Sequence, residues 1–163
     1  QCPNKSCSNL FIALYLLGQF KRIISIQNKT HTFSDTINQI SPKFVSIYNE
    51  AYQAEQYGLN EICGVGYRKS FEFLIKDFLS QIEPDSVEKF QRITLGQCIK
   101  NHIKEKRIQD IAERAVWLGN DETHYIRKWN DKDLNDLKTL MKVSLHFIEM
   151  EILANEALVS MPK

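Results

Sequence analysis

Beyond residue 41, apolar residues recur at the spacing of an α-helix, and this periodicity constrains the fold more than any other feature of the sequence. One stripe consists of Tyr67, Phe71, Leu74 and Phe78. A wider stripe in the C-terminal segment consists of Leu134, Leu137, Met141, Leu145, Ile148 and Ile152. Residues three and four apart share a helix face, and helices with a wide apolar face pack into bundles. The sequence therefore predicts an all-α fold built as a helical bundle.

Capping residues divide the helical region into segments. Ser41 followed by Pro42 predicts the N-cap and first residue of a helix, and Gly58 predicts its end. Thr94 and Gln97 stand at capping-box spacing. The predicted helices cover residues 42–57, 59–82, 108–118 and 131–159, with shorter ones near residues 86 and 94.

The N-terminal segment has a different pattern. Two β-branched or aromatic runs between residues 8 and 33, separated by GQFK, predict a short β-hairpin. Before it, Cys2 and Cys7 in CPNKSC resemble one knuckle of a zinc ribbon. Because zinc takes four ligands and the chain starts at Gln1 rather than Met, we expect the other ligands upstream in a longer protein. Two free thiols are the open alternative. We predict domains over residues 1–35 and 41–160.

The charge balance gives the whole molecule no general attraction to nucleic acid or membranes. The 163 residues include 21 basic and 20 acidic ones, for a net charge of +1. One local cluster of basic residues consists of Lys100, Lys104, Lys106 and Arg107. This cluster could bind a phosphate backbone, although a solvated helix end is the simpler interpretation. The apolar run LFIALYLLG is about half the length that spans a bilayer, and no signal-peptide pattern is seen. We therefore expect no membrane association and a cytoplasmic location.

Arg68 and Glu72 lie four residues apart beside the apolar stripe of the second predicted helix. Two phenylalanines flank Glu72, so we expect this ion pair to be partly buried rather than fully exposed. Gly64 and Gly66 precede the pair. Because each helical glycine costs about 1 kcal/mol, we expect close packing against them.

The segment GNDETHYIRKW, residues 119–129, concentrates polar side chains between two tryptophans. If a helix resumes after a break at Gly119, Asn120 and His124 share one face. A neutral imidazole can take a proton, and a neighbouring amide can orient a phosphate. The alternative is a buried His124 packed between the tryptophans. Acidic residues offset the local positive charge, so the segment is not a ready anion site.

Three segments together resemble the bacterial domain-of-unknown-function family DUF 4145: SPKFVSIYNEAYQAEQYG, GYRKSFEFLIKDF and WLGNDETHYIRKW. The family pattern is an early helix rich in Glu and Ala, an Arg-x-x-x-Glu helix and a Gly-Asn-x-x-x-His turn, and the resemblance covers residues 41–155. It implies membership of the wider HEPN group of helical bundles, many of which are dimeric, metal-independent RNases of toxin and phage-defence systems. It also implies a zinc-ribbon-like segment upstream, similar to the one indicated by CPNKSC.

The HEPN RNase motif places an arginine directly before its polar residue. Asn120 and His124 match this motif, and Gly119 occupies the arginine position. Loss of a donor to transition-state charge lowers a rate by about two to three orders of magnitude. We therefore expect a non-catalytic HEPN-like module that forms a homodimer and binds a partner protein or RNA in a bacterial defence or RNA-related system.

Two other functions fit the same residues. One is a metal-independent RNase in which Arg68 or Arg127 replaces the missing arginine and His124 is the general base. The other is a structural assembly domain with a buried polar network of Arg68, Glu72, Asn120 and His124. For all three functions we expect zinc only in the full-length protein, and no cofactor in the helical domain.

Overall fold

The structure is a computed structural model that describes residues 11–25 and 29–161. Its internal contacts divide the chain into two units, Gln1–Thr30 and His31–Lys163. Among the described residues, those of the first unit form a two-stranded sheet and those of the second form seven α-helices. The predicted all-α bundle with a short N-terminal hairpin is confirmed. Within these ranges, no helix combines the length and apolar character needed to cross a membrane.

The hairpin consists of β1 (Phe11–Leu16) and β2 (Gln19–Ser25), which pair antiparallel. Leu17 and Gly18 form the turn, with φ angles of 52° and 76°. Positive φ at both central residues is what a two-residue type I′ hairpin turn requires. The turn therefore shares only Gly18 with the predicted GQFK separator, because the second strand already begins at Gln19.

Among the described residues the helices are α1 (Asp35–Ile40), α2 (Pro42–Gln56), α3 (Asn60–Ile82), α4 (Val87–Arg92), α5 (Leu95–His102), α6 (Lys106–Asp121) and α7 (Leu134–Ser160). A 3-10 turn, Pro84–Ser86, separates α3 from α4. The helix α3 contacts each of the other six helices and so forms the centre of the bundle.

The apolar stripe of α3 lies in the core, as predicted. Tyr67 and Leu74 are 0% exposed, and Phe71 and Phe78 are at most 3% exposed. Burying a large apolar side chain contributes about 1.5–3 kcal/mol. This stripe is therefore a main source of the free energy that holds the helices around α3.

Local capping signals are confirmed at two helix ends and differ at a third. Gly58 follows α2 with a φ of 72°. At the start of α5, the Gln97 N–H donates to Thr94 Oγ1 at 3.2 Å, and the Thr94 N–H donates to Gln97 Oε1 at 2.9 Å. Ser41 stands at the N-cap position of α2, but its buried hydroxyl donates to Asp77 instead of capping the helix. Ser41 therefore ties the start of α2 to α3.

Gly119 does not end a helix, and the predicted break there is wrong, because α6 continues to Asp121. A separate helix over residues 120–129, the condition for Asn120 and His124 to share a face, does not form, since an irregular loop over residues 122–133 leads to α7. Asp121 Oδ2 accepts the backbone N–H of Lys128 at 2.9 Å and that of Trp129 at 2.8 Å. A helix would use these N–H groups for its own carbonyls. The buried carboxylate of Asp121 holds the loop instead.

Candidate functional site

The helices α3 and α6 approach each other closely at Gly119. A Cβ atom on Gly119 would lie 2.6 Å from Cγ and 2.8 Å from Cβ of Arg68. Carbon atoms in favourable contact are about 3.5–4.0 Å apart. A side chain at residue 119 therefore requires a shift, because Arg68 already fills the space. This packing accounts for a glycine at the position where the resembled motif has an arginine.

The guanidinium of Arg68 is held on two sides. Its Nε donates to Asn120 Oδ1 at 2.9 Å, and its Nη1 donates to Glu72 Oε2 at 2.8 Å. Lys76 pairs with the other oxygen of Glu72 at 2.8 Å. The Arg68 and Glu72 side chains are 25% and 31% exposed, so the predicted partial burial of the pair is confirmed.

This arrangement stabilises the ionised form of Glu72. Burial alone would raise the pKa of Glu72, but hydrogen bonds from Lys76 and Arg68 outweigh burial and lower this pKa below its ordinary value. Hydrogen bonds thus join three of the four residues that were predicted to form a polar network: Arg68, Glu72 and Asn120.

His124 does not belong to that network. It lies in the loop after α6, where its N–H donates to the Asp121 carbonyl at 3.4 Å. Its side chain is exposed, and its ring makes no hydrogen bond with any residue in the described ranges. The predictions of a helical face shared with Asn120 and of a buried histidine are therefore both wrong. The cause of both errors is that α6 ends at Asp121.

His124 lines an open cavity of about 680 Å³. Its neighbours in the lining include Asn120, Lys128 and Trp129, but Arg68 is not among the lining residues that the structure describes. Arg68 thus reaches Asn120 without standing in the cavity that His124 lines. The imidazole shares the cavity with an amide and a lysine rather than with a guanidinium.

Large apolar and aromatic side chains are exposed together around this cavity. Trp117 and Trp129 are parallel within 2°, with ring centroids 6.3 Å apart, and are 43% and 40% exposed. Tyr125 is fully exposed at 103%, and Ile126 is 75% exposed. We call Trp117, Tyr125, Ile126 and Trp129 the aromatic loop surface. Exposed apolar patches of this kind mark interaction sites.

Arg127 is paired rather than free for a phosphate. Its Nη2 lies 2.6 Å from Glu122 Oε1, and the Glu122 side chain is 15% exposed. Glu122 in turn lies over Gly64, where an added Cβ would be 2.6 Å from Glu122 Cγ. A Cβ atom added to Gly66 would lie 2.8 Å from Cβ of Ala51 on α2. The close helix packing predicted here is therefore confirmed at Gly66, whereas the neighbour of Gly64 is the side chain of Glu122, which follows α6.

The four basic residues singled out in the sequence lie around the junction of α5 and α6, and all are exposed: Lys100, Lys104, Lys106 and Arg107. Lys106 pairs with Asp110 at 2.9 Å and donates to Gln109 at 2.8 Å. The side chains of the other three make no ion pair with any residue that the structure describes. The junction is thus a solvated basic surface at the N-terminal end of α6, whereas the loop of the aromatic loop surface follows the C-terminal end of α6.

The predicted zinc ligands Cys2 and Cys7 lie outside the described residues, so zinc binding stays a prediction. Among residues 11–25 and 29–161, no cluster of three or more His, Cys, Asp or Glu side chains could hold a metal ion. Cys63 and Cys98 are free thiols in the core. Burial raises the pKa of both thiols, which disfavours the reactive thiolate.

Two features of the site had no signal in the sequence. The partners of Asp121 are backbone N–H groups seven and eight residues away, so no spacing rule for helices or turns points to them. The parallel stacking of Trp117 on Trp129 depends on that same loop conformation. Comparison of the chain with protein-family models, curated proteins and solved structures finds no match. The resemblance to DUF 4145 therefore stays a prediction.

Proposed function

We propose that this chain is a non-catalytic, HEPN-like helical module that binds a partner protein through the aromatic loop surface. The observation that carries the proposal is the exposure of Tyr125 and Trp129 on a loop that Asp121 holds in place, beside the exposed Trp117 of α6. Tryptophan and tyrosine supply much of the binding energy in protein interfaces. A loop that is already ordered also avoids part of the entropy cost of binding.

The charges of the loop favour a protein partner over a nucleic acid. Residues 121–133 carry Arg127, Lys128 and Lys132. The same span carries four carboxylates, from Asp121, Glu122, Asp131 and Asp133. Nucleic-acid affinity depends on uncompensated cations that displace counterions from the phosphates. A charge-balanced surface with exposed indoles fits an interface with another protein better.

The surroundings of His124 support a non-catalytic module. The described lining of its cavity contains no guanidinium, and Arg68 packs over Gly119 instead. Negative charge that develops on a phosphate is stabilised by a cation; the resembled RNases use an arginine for this, whereas the cation in the described lining here is Lys128. Only the resemblance to DUF 4145 supports a role in a bacterial defence or RNA-related system.

Self-association is part of the proposed function. The C-terminal part of α7 exposes a set of large apolar side chains, each more than half exposed: Met150, Leu153, Leu158 and Val159. Burial of such a surface against a second copy removes apolar area from water at about 25 cal/mol per Å². We expect a dimer in sedimentation analysis that Leu153→Glu dissociates. A monomer at micromolar concentration would remove dimerisation from the proposal.

Site-specific photo-crosslinking tests the partner surface. A photoreactive amino acid replaces Tyr125 in the full chain, in cells of the source organism, with Gln91 on the exposed face of α4 as the matched control position. We expect a discrete protein adduct from position 125 and none from position 91, and loss of the adduct when Ile126→Ala is added. Equal adducts at both positions, or none at 125, would contradict the aromatic loop surface.

The RNA arm of the test is fluorescence anisotropy with single-stranded RNA at two salt concentrations. We expect weak RNA binding that is not lost when any single group of basic residues is neutralised. Salt-sensitive binding that is lost when Lys100, Lys104 and Arg107 are neutralised would replace the protein partner by RNA.

One observation favours a second function, a metal-independent RNase with a relocated arginine. Arg68 does reach Asn120, and its Nη2 makes no hydrogen bond with any described residue. In this function His124 acts as general base and Arg68 stabilises the phosphate charge. It predicts metal-free RNA cleavage that His124→Ala abolishes while the fold is retained. If wild-type protein and His124→Ala are equally inactive, this function is rejected.

A further inference from the structure

The last helix, α7, continues beyond the part of the bundle that it helps to bury. Its last buried residue is Ile152, and every residue from 153 to 160 is exposed. This extension is about two turns long, and it carries Leu153 and Leu158, which are 53% and 71% exposed. Short helices without tertiary contacts are marginal in water. The extension therefore has an apolar surface that no residue in the described ranges covers.

An open groove of about 380 Å³ lies between α6 and α7. Both helices supply its apolar lining residues, which are Ile108, Ile111, Val143, Phe147 and Met150. Residues 105–111 of α6 border residues 143–151 of α7, whereas residues 114–118 border residues 136–140. The two helices thus run antiparallel, and the extension of α7 continues past the N-terminal end of α6.

The groove and the extension share one apolar stripe along α7. Its members are separated alternately by four and three residues, and they are Val143, Phe147, Met150, Ala154, Ala157 and Met161. This spacing is the heptad pattern with which one helix packs against another. Val143, Met150 and Met161 are 38%, 56% and 79% exposed, so the bundle leaves much of the stripe uncovered. We call these six residues the α7 seam.

One cation and one anion border the groove without pairing with each other. Arg107 and Glu151 both line it, on the side of the α7 seam that faces α6. Neither side chain makes an ion pair with any residue that the structure describes. The third charged residue of the lining, Glu105, caps α6 by accepting the backbone N–H of Arg107 at 3.3 Å. Opposite charges are therefore available at the same edge of the groove for a partner that carries both.

We propose that the α7 seam of a second copy packs antiparallel on this seam and groove, an inference that rests on the self-association in the proposed function. A two-fold axis near residue 152 sets Phe147 opposite Ala157, and Met150 opposite Ala154, of the second copy. Each large side chain then meets a small one, which lets the two helices interdigitate. A parallel pair would instead set each residue opposite itself, with phenylalanine against phenylalanine and alanine against alanine. The seam thus complements its own reverse.

The same arrangement matches the charges. Antiparallel pairing about a two-fold axis brings the same side of both helices together. The α6-facing sides of the two copies therefore adjoin, and Arg107 of each copy lies beside Glu151 of the other. A parallel pair would place these sides apart. The ion pair between copies thus depends on the direction of packing.

Charge reversal in the full chain tests the contact between copies, with the dimer dissociation constant measured by sedimentation equilibrium. Arg107→Glu and Glu151→Arg should each raise this constant about tenfold, because the two-fold symmetry applies each change twice. The double variant restores opposite charges and should return to within about twofold of the wild type. The matched controls Lys104→Glu and Glu156→Arg reverse exposed charges outside the groove and should change the constant less than about twofold.

Crosslinking tests the direction of packing, in a Cys2→Ser, Cys7→Ser background. Val143→Cys and Met161→Cys proteins are treated with a short bismaleimide, separately and after mixing. Residues 143 and 161 are about 27 Å apart along a helix. An antiparallel pair should therefore give a crosslinked dimer only in the mixture, whereas a parallel pair would crosslink in each separate sample.

The possible failures are distinguishable. The antiparallel interface is overturned if the double charge variant stays as weak as the single variants, or if each cysteine variant crosslinks alone. If such a dimer is still dissociated by Leu153→Glu, self-association stands and only this interface is rejected. A wild-type chain that is monomeric rejects both, and the α7 seam is then covered by the N-terminal unit or by another protein.

Discussion

The close approach of α3 and α6 at Gly119 makes a sharp prediction for Gly119→Ala. The added Cβ would lie 2.6 Å from Arg68 Cγ and 2.8 Å from Arg68 Cβ. Both atoms are at the base of the side chain, so rotation of the distal guanidinium cannot relieve the overlap. The helix or the Arg68 side chain must shift, which also strains the hydrogen bond from Arg68 to Asn120.

Two opposing effects set the magnitude. Overpacking of a well-packed site costs about 1–3 kcal/mol. Replacing a helical glycine by alanine gains at most about 1 kcal/mol. We therefore expect Gly119→Ala to lower the free energy of unfolding by about 1 kcal/mol. Gly96, also helical, has no atom within 4 Å of an added Cβ. Gly96→Ala should raise stability by about 0.5 kcal/mol and is the matched control.

The assay is urea unfolding of both variants, followed by circular dichroism and compared at equal m values. Gly119→Arg, which places an arginine at the position of the resembled motif, should be less stable still and should not gain RNase activity. If Gly119→Ala gained as much stability as Gly96→Ala, Arg68 would not fill the space over residue 119. Combining Gly119→Ala with Arg68→Ala should recover part of the loss, because the contact with Cγ disappears.

Three further predictions concern other parts of the helical unit. Glu55→Gln should lower stability at pH 7 by about 2 kcal/mol, because Glu55 accepts a charged hydrogen bond from Lys138. Asp121→Ala should lower the free energy of unfolding by about 2–3 kcal/mol and speed hydrogen exchange of the amides at residues 128 and 129. The control Asp131→Ala alters a side chain that is 76% exposed and should change little. The buried thiols of Cys63 and Cys98 should react with a thiol reagent only as fast as the protein unfolds, in a Cys2→Ser, Cys7→Ser background.

The first of these predictions has a definite pH dependence. Burial raises the pKa of Glu55, but hydrogen bonds from Lys138 and Tyr67 outweigh it, so the pKa is lowered from its ordinary 4.5. The unfolded chain then binds the proton more tightly, and stability is present above pH 4.5 and is lost as the pH falls through the lowered pKa. Glu55→Gln should make the acid limb of the stability profile shallower. An unchanged acid limb would contradict the assigned hydrogen bonds.

The remaining two predictions have equally direct counter-results. Equal amide exchange in the Asp121→Ala variant and the wild type would show that the carboxylate does not hold the loop. Rapid modification of the core thiols in native buffer would contradict their burial.

Features determined by neighbouring residues were predictable from the sequence. The Thr94 capping box, the end of α2 two residues before Gly58 and the buried stripe of α3 each depend on residues within one or two helical turns. The partial burial of the Arg68–Glu72 pair was predictable for the same reason, since flanking aromatic residues mark the buried side of a helix.

Features determined by distant residues were not predictable. A glycine in a helical pattern either ends the helix or makes room for a neighbour, and at Gly119 the deciding neighbour is Arg68 on another helix. The helical spacing of Asn120 and His124 was equally misleading, because the Asp121 carboxylate binds backbone N–H groups that a continued helix would need. Local propensity cannot report such competition.

Asp121 holds the loop through main-chain atoms, and this has an evolutionary consequence. The N–H groups of residues 128 and 129 are present whatever side chains the loop carries. Residues 123–126 are exposed and can therefore be exchanged while the frame persists. One carboxylate at the end of α6 thus allows the exposed side chains of the loop to diversify without a redesign of the bundle.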